Sequence, residues 1–209
     1  MIRGLELVVT GPFARATLTN FFFMSSLSCF ILLPLYVQRL GGTEAEIGLV
    51  QGVYSAAGIV CQPVIGLWLD RVGRHFFMAL GVCLLIISSA AFLISHSLAL
   101  LVQPHMTVPV VPFLFLAGVL AGGAHGFLYP ALAALLMDVT PEARRGGVVG
   151  IFSAVFLVGN ALGSIVFGYV AHGLGYGVMW STLTLPRAAG FLLSFRLGVG
   201  YAVRAPHAI

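Results

Sequence analysis

The sequence contains no lysine, and charged residues of any kind make up only 8% of its 209 residues. A soluble globular domain carries about 25% charged residues. With 60% hydrophobic residues, this chain has too little polar surface for water, so a soluble fold is excluded and a lipid environment is expected. The use of arginine alone for positive charge suggests a GC-rich bacterial genome. We therefore expect a protein of the bacterial inner membrane.

Cysteine is scarce as well, and Cys29, Cys61 and Cys83 each lie inside an apolar run. They show neither CxxC spacing nor a His or Asp neighbour at ligand spacing, so no metal site, disulfide framework or cofactor is expected. Gly122–Gly126 is not a phosphate loop, because no strand precedes it. A Ser/His/Asp set and paired intramembrane acids are also lacking, which argues against an enzyme. The arginines lie in short loops, which argues against nucleic-acid binding.

Charged residues mark the ends of the predicted helices, because a helix needs about 20 apolar residues to cross the hydrocarbon core. The long uncharged stretch 75–137 must break near 103–109, which holds two prolines. The prediction is an all-α integral membrane bundle of six transmembrane helices. They lie at about 16–38, 47–69, 75–96, 110–137, 147–171 and 178–200, between an N-terminal segment 1–15 and a tail 201–209. Thr43 and Glu46 predict a capping box at the start of the second helix.

The sixth predicted helix contains Pro186 and Arg187, with Arg196 near its end. An arginine at the centre of a membrane helix costs about 2.5–3.5 kcal/mol on insertion scales. Two interpretations follow. Either this helix turns Arg187 toward a protein interior, or the C-terminal part of the chain is not an ordinary membrane span.

The positions of the arginines predict the orientation. If the N-terminus is cytoplasmic, one side of the membrane collects most of them: Arg3, Arg15, Arg71, Arg74, Arg144, Arg145, Arg196 and Arg204. Only Arg39 then falls on the outer side. Positive charge accumulates in cytoplasmic loops of membrane proteins. Both termini are therefore predicted to be cytoplasmic.

Several predicted helices carry polar or small residues on one face, and such faces turn toward other helices or a water-filled cavity. The candidate cavity residues are Asn20, Gln51, Gln62, His125, Tyr129 and Asn160. For the glycines Gly118, Gly122 and Gly126, close helix packing is the favoured interpretation. For the amides, cavity lining and interhelical hydrogen bonding both stay open.

His125 is the one titratable group predicted to lie deep inside a helix. An intramembrane histidine is a functional candidate by default, because it can carry a proton or contact a solute. The alternative is a neutral histidine that is hydrogen-bonded to a neighbouring helix.

The charged loop after the second predicted helix has the sequence Gly66-x-x-x-Asp70-Arg71-x-Gly73-Arg74. It resembles the loop motif of the major facilitator superfamily, G-x-x-x-D-[RK]-x-G-[RK]-[RK], at the same place between helices two and three. His75 replaces the last basic residue. Leu33–Tyr36, Ile47–Leu49 and Pro141–Gly146 are similar to that family too, and the resemblance covers roughly residues 14–185.

The resemblance implies a secondary transporter that moves a small solute by alternating access. In that family two six-helix bundles, each built from inverted three-helix repeats, enclose a site at the membrane midplane. It further implies that Asp70 contacts a helix of the other bundle, and that Arg74 pairs with Asp138. These residues, with Gly66, Arg71 and Gly73, would form a latch. Alternatively, the charges of this loop serve only topology and a tight turn.

Three features depart from the family pattern. Gly118 stands where a helix-four arginine is common, which disfavours proton coupling by that route. Gly163-Ser164 and Phe167-Gly168 stand in place of the glycine-proline and glycine pairs of an antiporter motif. The six predicted helices are half of the usual twelve, so the latch partner would have to come from a second bundle.

Two functions from different classes follow. The first is a transporter present as an N-terminal half, which would pair with a second bundle or another copy of itself. The second is a membrane-embedded binding or regulatory protein that has lost transport. The mostly uncharged candidate cavity favours a neutral or amphipathic small solute.

Overall fold

The computed structural model describes residues 11–101 and 110–202, with side chains up to residue 195. The predicted break at 103–109, the N-terminal residues 1–10 and the tail from 203 lie outside the described residues. So do Arg3 and Arg204 and the side chain of Arg196.

The described residues form α-helices joined by short turns. The helices are α1 (Gly11–Leu27), α2 (Cys29–Arg39), α3 (Glu44–Val72), α4 (Arg74–Leu101), α5 (Val111–Asp138), α6 (Arg145–Leu174), α7 (Tyr176–Thr182) and α8 (Thr184–Ala202). A single 3₁₀ turn, Glu142–Arg144, precedes α6. This confirms the all-α class of the bundle.

Five stretches of the described chain are long and apolar enough to cross a membrane. The first is α1 with α2, which are interrupted only at Ser28, and the others are α3, α4, α5 and α6 with its preceding turn. The segment predicted as a sixth helix, 178–200, is divided at Leu183 into the end of α7 and most of α8. The chain is therefore a multi-pass membrane protein.

Local sequence explains where α3 begins and ends. The Thr43 hydroxyl accepts a hydrogen bond from the Glu46 amide, and the Thr43 amide donates to the Glu46 carboxylate at 2.7 Å, so the predicted capping box is confirmed. At the other end, Gly73 has φ +96°, a backbone conformation that favours glycine. Its amide donates to the Leu69 carbonyl at 3.0 Å. The chain then enters α4 directly at Arg74.

The bundle is organised around α5 and α1. Helix α5 packs against α3 and α4, and α1 packs against α6 and α8. Contact between α5 and α3 is close because Gly118, Gly122 and Gly126 face the backbone of α3. A Cβ on Gly126 would lie 2.9 Å from the Gly58 carbonyl oxygen. This supports the packing interpretation of these glycines.

Arg187 agrees with the first of the two interpretations of the sixth predicted helix. Its side chain is only 2% exposed, and it reaches from α8 to α4, where it donates a hydrogen bond to the Leu85 carbonyl at 3.0 Å. The segment therefore turns its arginine into the protein interior. Nearby, Trp180 of α7 stacks on Phe92 of α4, with ring centroids 4.4 Å apart and planes 2° apart.

Candidate functional site

The turn between α3 and α4 brings three charged side chains together at one end of the bundle. The Arg74 guanidinium forms a salt bridge with the Asp138 carboxylate at the end of α5, and its Nη2 donates a hydrogen bond to Oδ1 at 3.1 Å. A hydrogen bond between two ionised groups is stronger than one between neutral groups. The same Nη2 lies 3.4 Å from Asp70 Oδ1, one helical turn earlier.

The two carboxylates differ sharply in environment. The Asp138 side chain is 29% exposed and the Arg74 side chain 24%, whereas the Asp70 side chain is 81% exposed. Arg74 is therefore held within the bundle by Asp138, while Asp70 keeps most of its surface outside. Arg71 is also exposed. A Cβ added to Gly66 would meet no neighbouring atom within 4 Å, so no close packing requires a glycine there.

The second candidate site centres on His125 of α5. Its Nδ1 lies 2.8 Å from the Tyr54 hydroxyl of α3, which is a hydrogen bond between neighbouring helices. The imidazole ring also contacts aromatic rings from α1, α5 and α6, namely Phe23, Tyr129 and Phe156, with centroids 5.8–6.4 Å away. We call Phe23, Tyr54, His125, Tyr129 and Phe156 the aromatic cluster. Four helices meet there.

The candidate amides occupy different environments. Asn20 is fully buried, and its Nδ2 donates to the Phe152 carbonyl of α6 at 3.1 Å. Gln51 is half-buried, and its Nε2 donates to the Phe30 carbonyl at 2.7 Å. Both amides thus bridge helices. Asn160 is half-buried on α6, and its carbonyls accept from Ser164, while Gln62 lies exposed on α3.

A separate apolar groove of about 450 Å³ lies between α1, α6 and the α7–α8 junction. Its walls include Phe21, Phe22, Leu162, Val166 and Leu185. None of the six candidate cavity residues lines it. The structure thus separates this groove from the aromatic cluster.

Sequence reasoning followed polar residues, so it found His125 and Tyr129 but missed Phe23, Tyr54 and Phe156. Tyr54 follows Gln51 by three positions on α3, so helical spacing already placed it on the polar face. Phe23 and Phe156 carried no comparable signal, because phenylalanine is abundant in every predicted span. Among the described residues, no three His, Cys, Asp or Glu side chains stand close enough to share a metal ion.

Known proteins resemble this chain over most of its length. The sequence profile of the Major Facilitator Superfamily matches residues 16–207. The chain belongs to the major facilitator superfamily. It is 25% identical over 141 residues to the quinolone resistance protein NorA of Staphylococcus aureus (strain MRSA252). It is 26% identical over 144 residues to an uncharacterized MFS-type transporter of Methanocaldococcus jannaschii.

Membership confirms the resemblance drawn from the Gly66–Arg74 loop. The matched segments cover 68% and 69% of this chain, but only 33% and 34% of those two relatives. The chain thus spans about a third of the length of the curated relatives it matches. The superfamily's loop motif contains Asp70 and Arg74, and Asp138 reaches Arg74 from the end of α5. The aromatic cluster includes His125, at the middle of α5.

Proposed function

We propose that this chain is one six-helix half of a secondary transporter, and that it moves a small neutral or amphipathic solute by alternating access. A second six-helix bundle would complete the pathway. Both termini would face the cytoplasm of the cell whose membrane contains it. The chemistry is solute movement rather than catalysis.

The observation that carries this proposal is that three neighbouring charged side chains differ in pairing and exposure. Arg74 is engaged by Asp138 inside the bundle, whereas Asp70 lies beside Arg74 with 81% of its side chain exposed. A carboxylate with only a structural role would stabilise the fold more if it were buried and fully paired with Arg74. An exposed carboxylate at a helix end can instead bond to a second bundle and release it when the bundles rock.

The exposed surfaces of α3 and α6 support a second bundle. Helix α3 turns few side chains inward, and Ile59, Val60 and Leu67 are each about two-thirds exposed or more. On α6, Leu157 and Tyr169 are exposed to a similar extent. These two helices flank the aromatic cluster, so a bundle packed against them would enclose it.

The aromatic cluster supports an amphipathic solute. Binding sites for small molecules are mostly apolar and aromatic, with a few polar groups that fix orientation. Here Tyr54, His125 and Tyr129 supply the polar atoms among aromatic rings. The relative named as a quinolone resistance protein suggests that a planar, amphipathic quinolone is the first solute to test.

The orientation is supported by the same arginines in the folded chain. Arg15, Arg71, Arg74, Arg144 and Arg145 belong to one end of the bundle, and Arg39 belongs to the other. The positive-inside rule assigns the first end to the cytoplasm. Cysteines introduced at Gln38 and at Gly147 should then be labelled by a membrane-impermeant thiol reagent from opposite sides, in a background where Cys29, Cys61 and Cys83 are replaced by alanine.

Asp70→Asn is expected to abolish solute flux while leaving the bundle folded. The substitution removes a charge from an exposed side chain whose partner Arg74 keeps its contact with Asp138. The measurement is uptake of a fluorescent quinolone into proteoliposomes that contain the purified protein, together with its thermal unfolding temperature.

Glu142→Gln is the matched control for Asp70. Its carboxylate is 89% exposed and lies 3.7 Å from Arg145 on the same end of the bundle. Flux should survive this substitution. Equal loss in both variants, or undiminished flux in Asp70→Asn, would reject the latch role of Asp70.

The mass of the purified protein in detergent tests the need for a second bundle. We expect wild-type flux only in preparations that contain a dimer or an associated second chain. A strict monomer without flux that still binds solute would instead favour the binding or regulatory function.

His125→Gln is expected to remove the dependence of flux on pH between about pH 5 and 8, if His125 carries protons during transport. The control is His96→Gln, because His96 also bonds a tyrosine hydroxyl, that of Tyr36 at 3.3 Å, but lies near the end of α4. If flux stays pH-dependent in His125→Gln, the proton-carrying role is rejected. The role of His125 would then be its interhelical hydrogen bond to Tyr54.

A further inference from the structure

Helices α6 and α8 diverge after the turn that joins them. Helix α6 ends at Leu174, Gly175 turns the chain with φ +87°, and α7 and α8 follow. Helix α8 then packs on α1 and α4 rather than on α6, while α6 itself packs on α1. The apolar groove of about 450 Å³ is the gap that this divergence leaves, with α1 as its floor.

The groove lies within the hydrocarbon core of the membrane. On α6 its wall runs from Leu162 to Val170, which is roughly 12 Å along the helix axis. These positions lie roughly 6–18 Å from the end of α6 at Leu174. Half of the hydrocarbon core is about 15 Å thick. The groove therefore belongs to the leaflet at the α6–α7 turn, away from the Arg74–Asp138 pair.

The walls offer almost no hydrogen-bonding group to an occupant. The Ser25 hydroxyl already donates to the Phe21 carbonyl at 2.8 Å. The Thr182 hydroxyl already donates to the Met179 carbonyl at 2.9 Å. The other side chains of the walls are phenylalanine, leucine, valine and proline. A polar solute would lose its hydrogen bonds in this groove without replacing them, so the walls suit a hydrocarbon.

The mouth of the groove is continuous with the lipid-facing surface. Leu162, Val166 and Leu185 line the groove, and each is about half exposed or more. Ile165, next to Val166 on α6, is exposed to a similar extent. Because α6 crosses the membrane, its exposed apolar side chains at this depth face lipid tails. A lipid tail can therefore enter the groove sideways from the bilayer.

The size of the groove fits a hydrocarbon chain but not a helix. A helix about 10 Å in diameter and 12 Å long would occupy roughly 900 Å³, about twice the volume of the groove. A hydrocarbon chain is about half as wide, since carbon atoms in contact lie about 3.5–4.0 Å apart. A second bundle could cover the mouth but could not fill the groove. A lipid tail would gain dispersion contacts with Phe21 and Phe22 that a void forfeits.

A positive charge lies at the same end of the bundle as the groove. Arg39 ends α2, and its guanidinium carbon lies 5.2 Å from the centroid of the Tyr176 ring. Tyr176 directly follows the Gly175 turn that joins α6 to α7. Among the arginine side chains that the structure describes, Arg39 is the only exposed one at this end. Its charge is complementary to the phosphate of a lipid headgroup.

We propose that the apolar groove binds an acyl chain of one phospholipid from the surrounding leaflet, and that Arg39 binds the phosphate of this lipid. The lipid fills the gap between α6 and α8, and it supports the packing of both helices on α1. The site is independent of the latch role of Asp70 and of the aromatic cluster, so its tests do not involve transport.

The first test counts the phospholipids that the purified full chain retains in mild detergent after addition of dioleoyl phosphatidylglycerol, by native mass spectrometry. We expect one tightly retained lipid per wild-type chain. Val166→Trp places an indole ring in the groove, and such a ring buries about 150–250 Å². Retention should therefore weaken about tenfold in this variant.

Val158→Trp is the matched control. Val158 is as exposed on α6 as Val166, at 50% against 52%, but it does not line the groove. This variant should retain the lipid as the wild type does. Arg39→Gln should weaken retention, because it removes the charge that binds the phosphate while leaving the groove unchanged.

The second test uses the wild-type chain alone, so it does not depend on a variant that folds. Phosphatidylglycerol with a photoreactive diazirine on its acyl chain should label Leu162, Val166 and Leu185 in preference to Ile59 and Val60. These two residues of α3 are about as exposed but lie outside the groove. Unlabelled phosphatidylglycerol should suppress the labelling, and a quinolone should not.

Several outcomes would overturn the proposal: no retained lipid, equal retention in Val166→Trp and Val158→Trp, undiminished retention in Arg39→Gln, or equal labelling of α3 and α6. Suppression of the labelling by the quinolone would also overturn it, because the groove would then be a site for solute rather than for lipid.

Discussion

Gly122→Ala is expected to disrupt the packing of α5 on α3, with a loss of about 1–3 kcal/mol in the free energy of unfolding or a failure to fold. A Cβ at this position would collide with the Tyr54 carbonyl oxygen, and it would lie 2.9 Å from the Tyr54 carbonyl carbon and 3.1 Å from the Ala57 Cβ. Backbone atoms cannot rotate away as a side chain can. The helices would therefore have to separate.

The neighbouring glycine supplies the control for this prediction. A Cβ at Gly123 would meet Leu84 Cδ1 at 3.6 Å and Cys61 Sγ at 3.8 Å, which is ordinary contact. Gly123→Ala should be neutral or stabilise the helix by roughly 0.5–1 kcal/mol, because alanine favours helix. The measurement is the unfolding temperature and the yield of folded protein after size-exclusion chromatography in detergent. Equal stability of the two variants would contradict this account of the α3–α5 contact.

Trp180→Ala is expected to cost about 3–5 kcal/mol of stability. The Trp180 side chain is fully buried, and its ring stacks on Phe92 and meets the Tyr36 ring edge-on at a centroid distance of 5.4 Å. Removing it leaves a cavity where α2, α4 and α7 join. Lipid tails are apolar, so lost packing rather than exposure to water causes the effect.

Trp68 is the matched control, since the chain has only two tryptophans. Its side chain is 55% exposed on α3. Trp68→Ala should change the unfolding free energy of the purified protein by no more than about 0.5 kcal/mol. Intrinsic fluorescence follows unfolding in each variant through the remaining tryptophan. A comparable loss of stability in both variants would refute the special role of the Trp180 stack.

Much of the fold followed from where charge is absent. The uncharged stretches 16–38, 47–69 and 147–171 lie within membrane-spanning helices, because hydrocarbon excludes charge over a fixed length. The Thr43–Glu46 capping box was predictable because its partners are three residues apart. The superfamily was predictable because the Gly66–Arg74 motif is local, and the sequence profile match confirms it.

The candidate sites were less predictable, because the residue pattern on one helical face does not show which helix packs against it. Periodicity placed Asn20 and Gln51 on inward faces. It did not show that each side chain donates a hydrogen bond to a carbonyl of another helix. The aromatic cluster draws its rings from four helices, so no spacing along the chain reveals it. The roles of Asp70 as a latch and of His125 in solute movement stay predictions.

Arg187 shows most clearly the difference between what the sequence determines and what the tertiary structure decides. The sequence by itself determined a membrane bundle of the major facilitator superfamily, because composition and short motifs act locally and through the lipid solvent. It also determined that an arginine falls inside an apolar segment, but it allowed two outcomes for that segment. Only the tertiary structure turned Arg187 toward Leu85 and Ser89 of α4. The physical reason is that the cost of a buried charge depends on which side chains and carbonyls surround it, and packing between helices decides those neighbours.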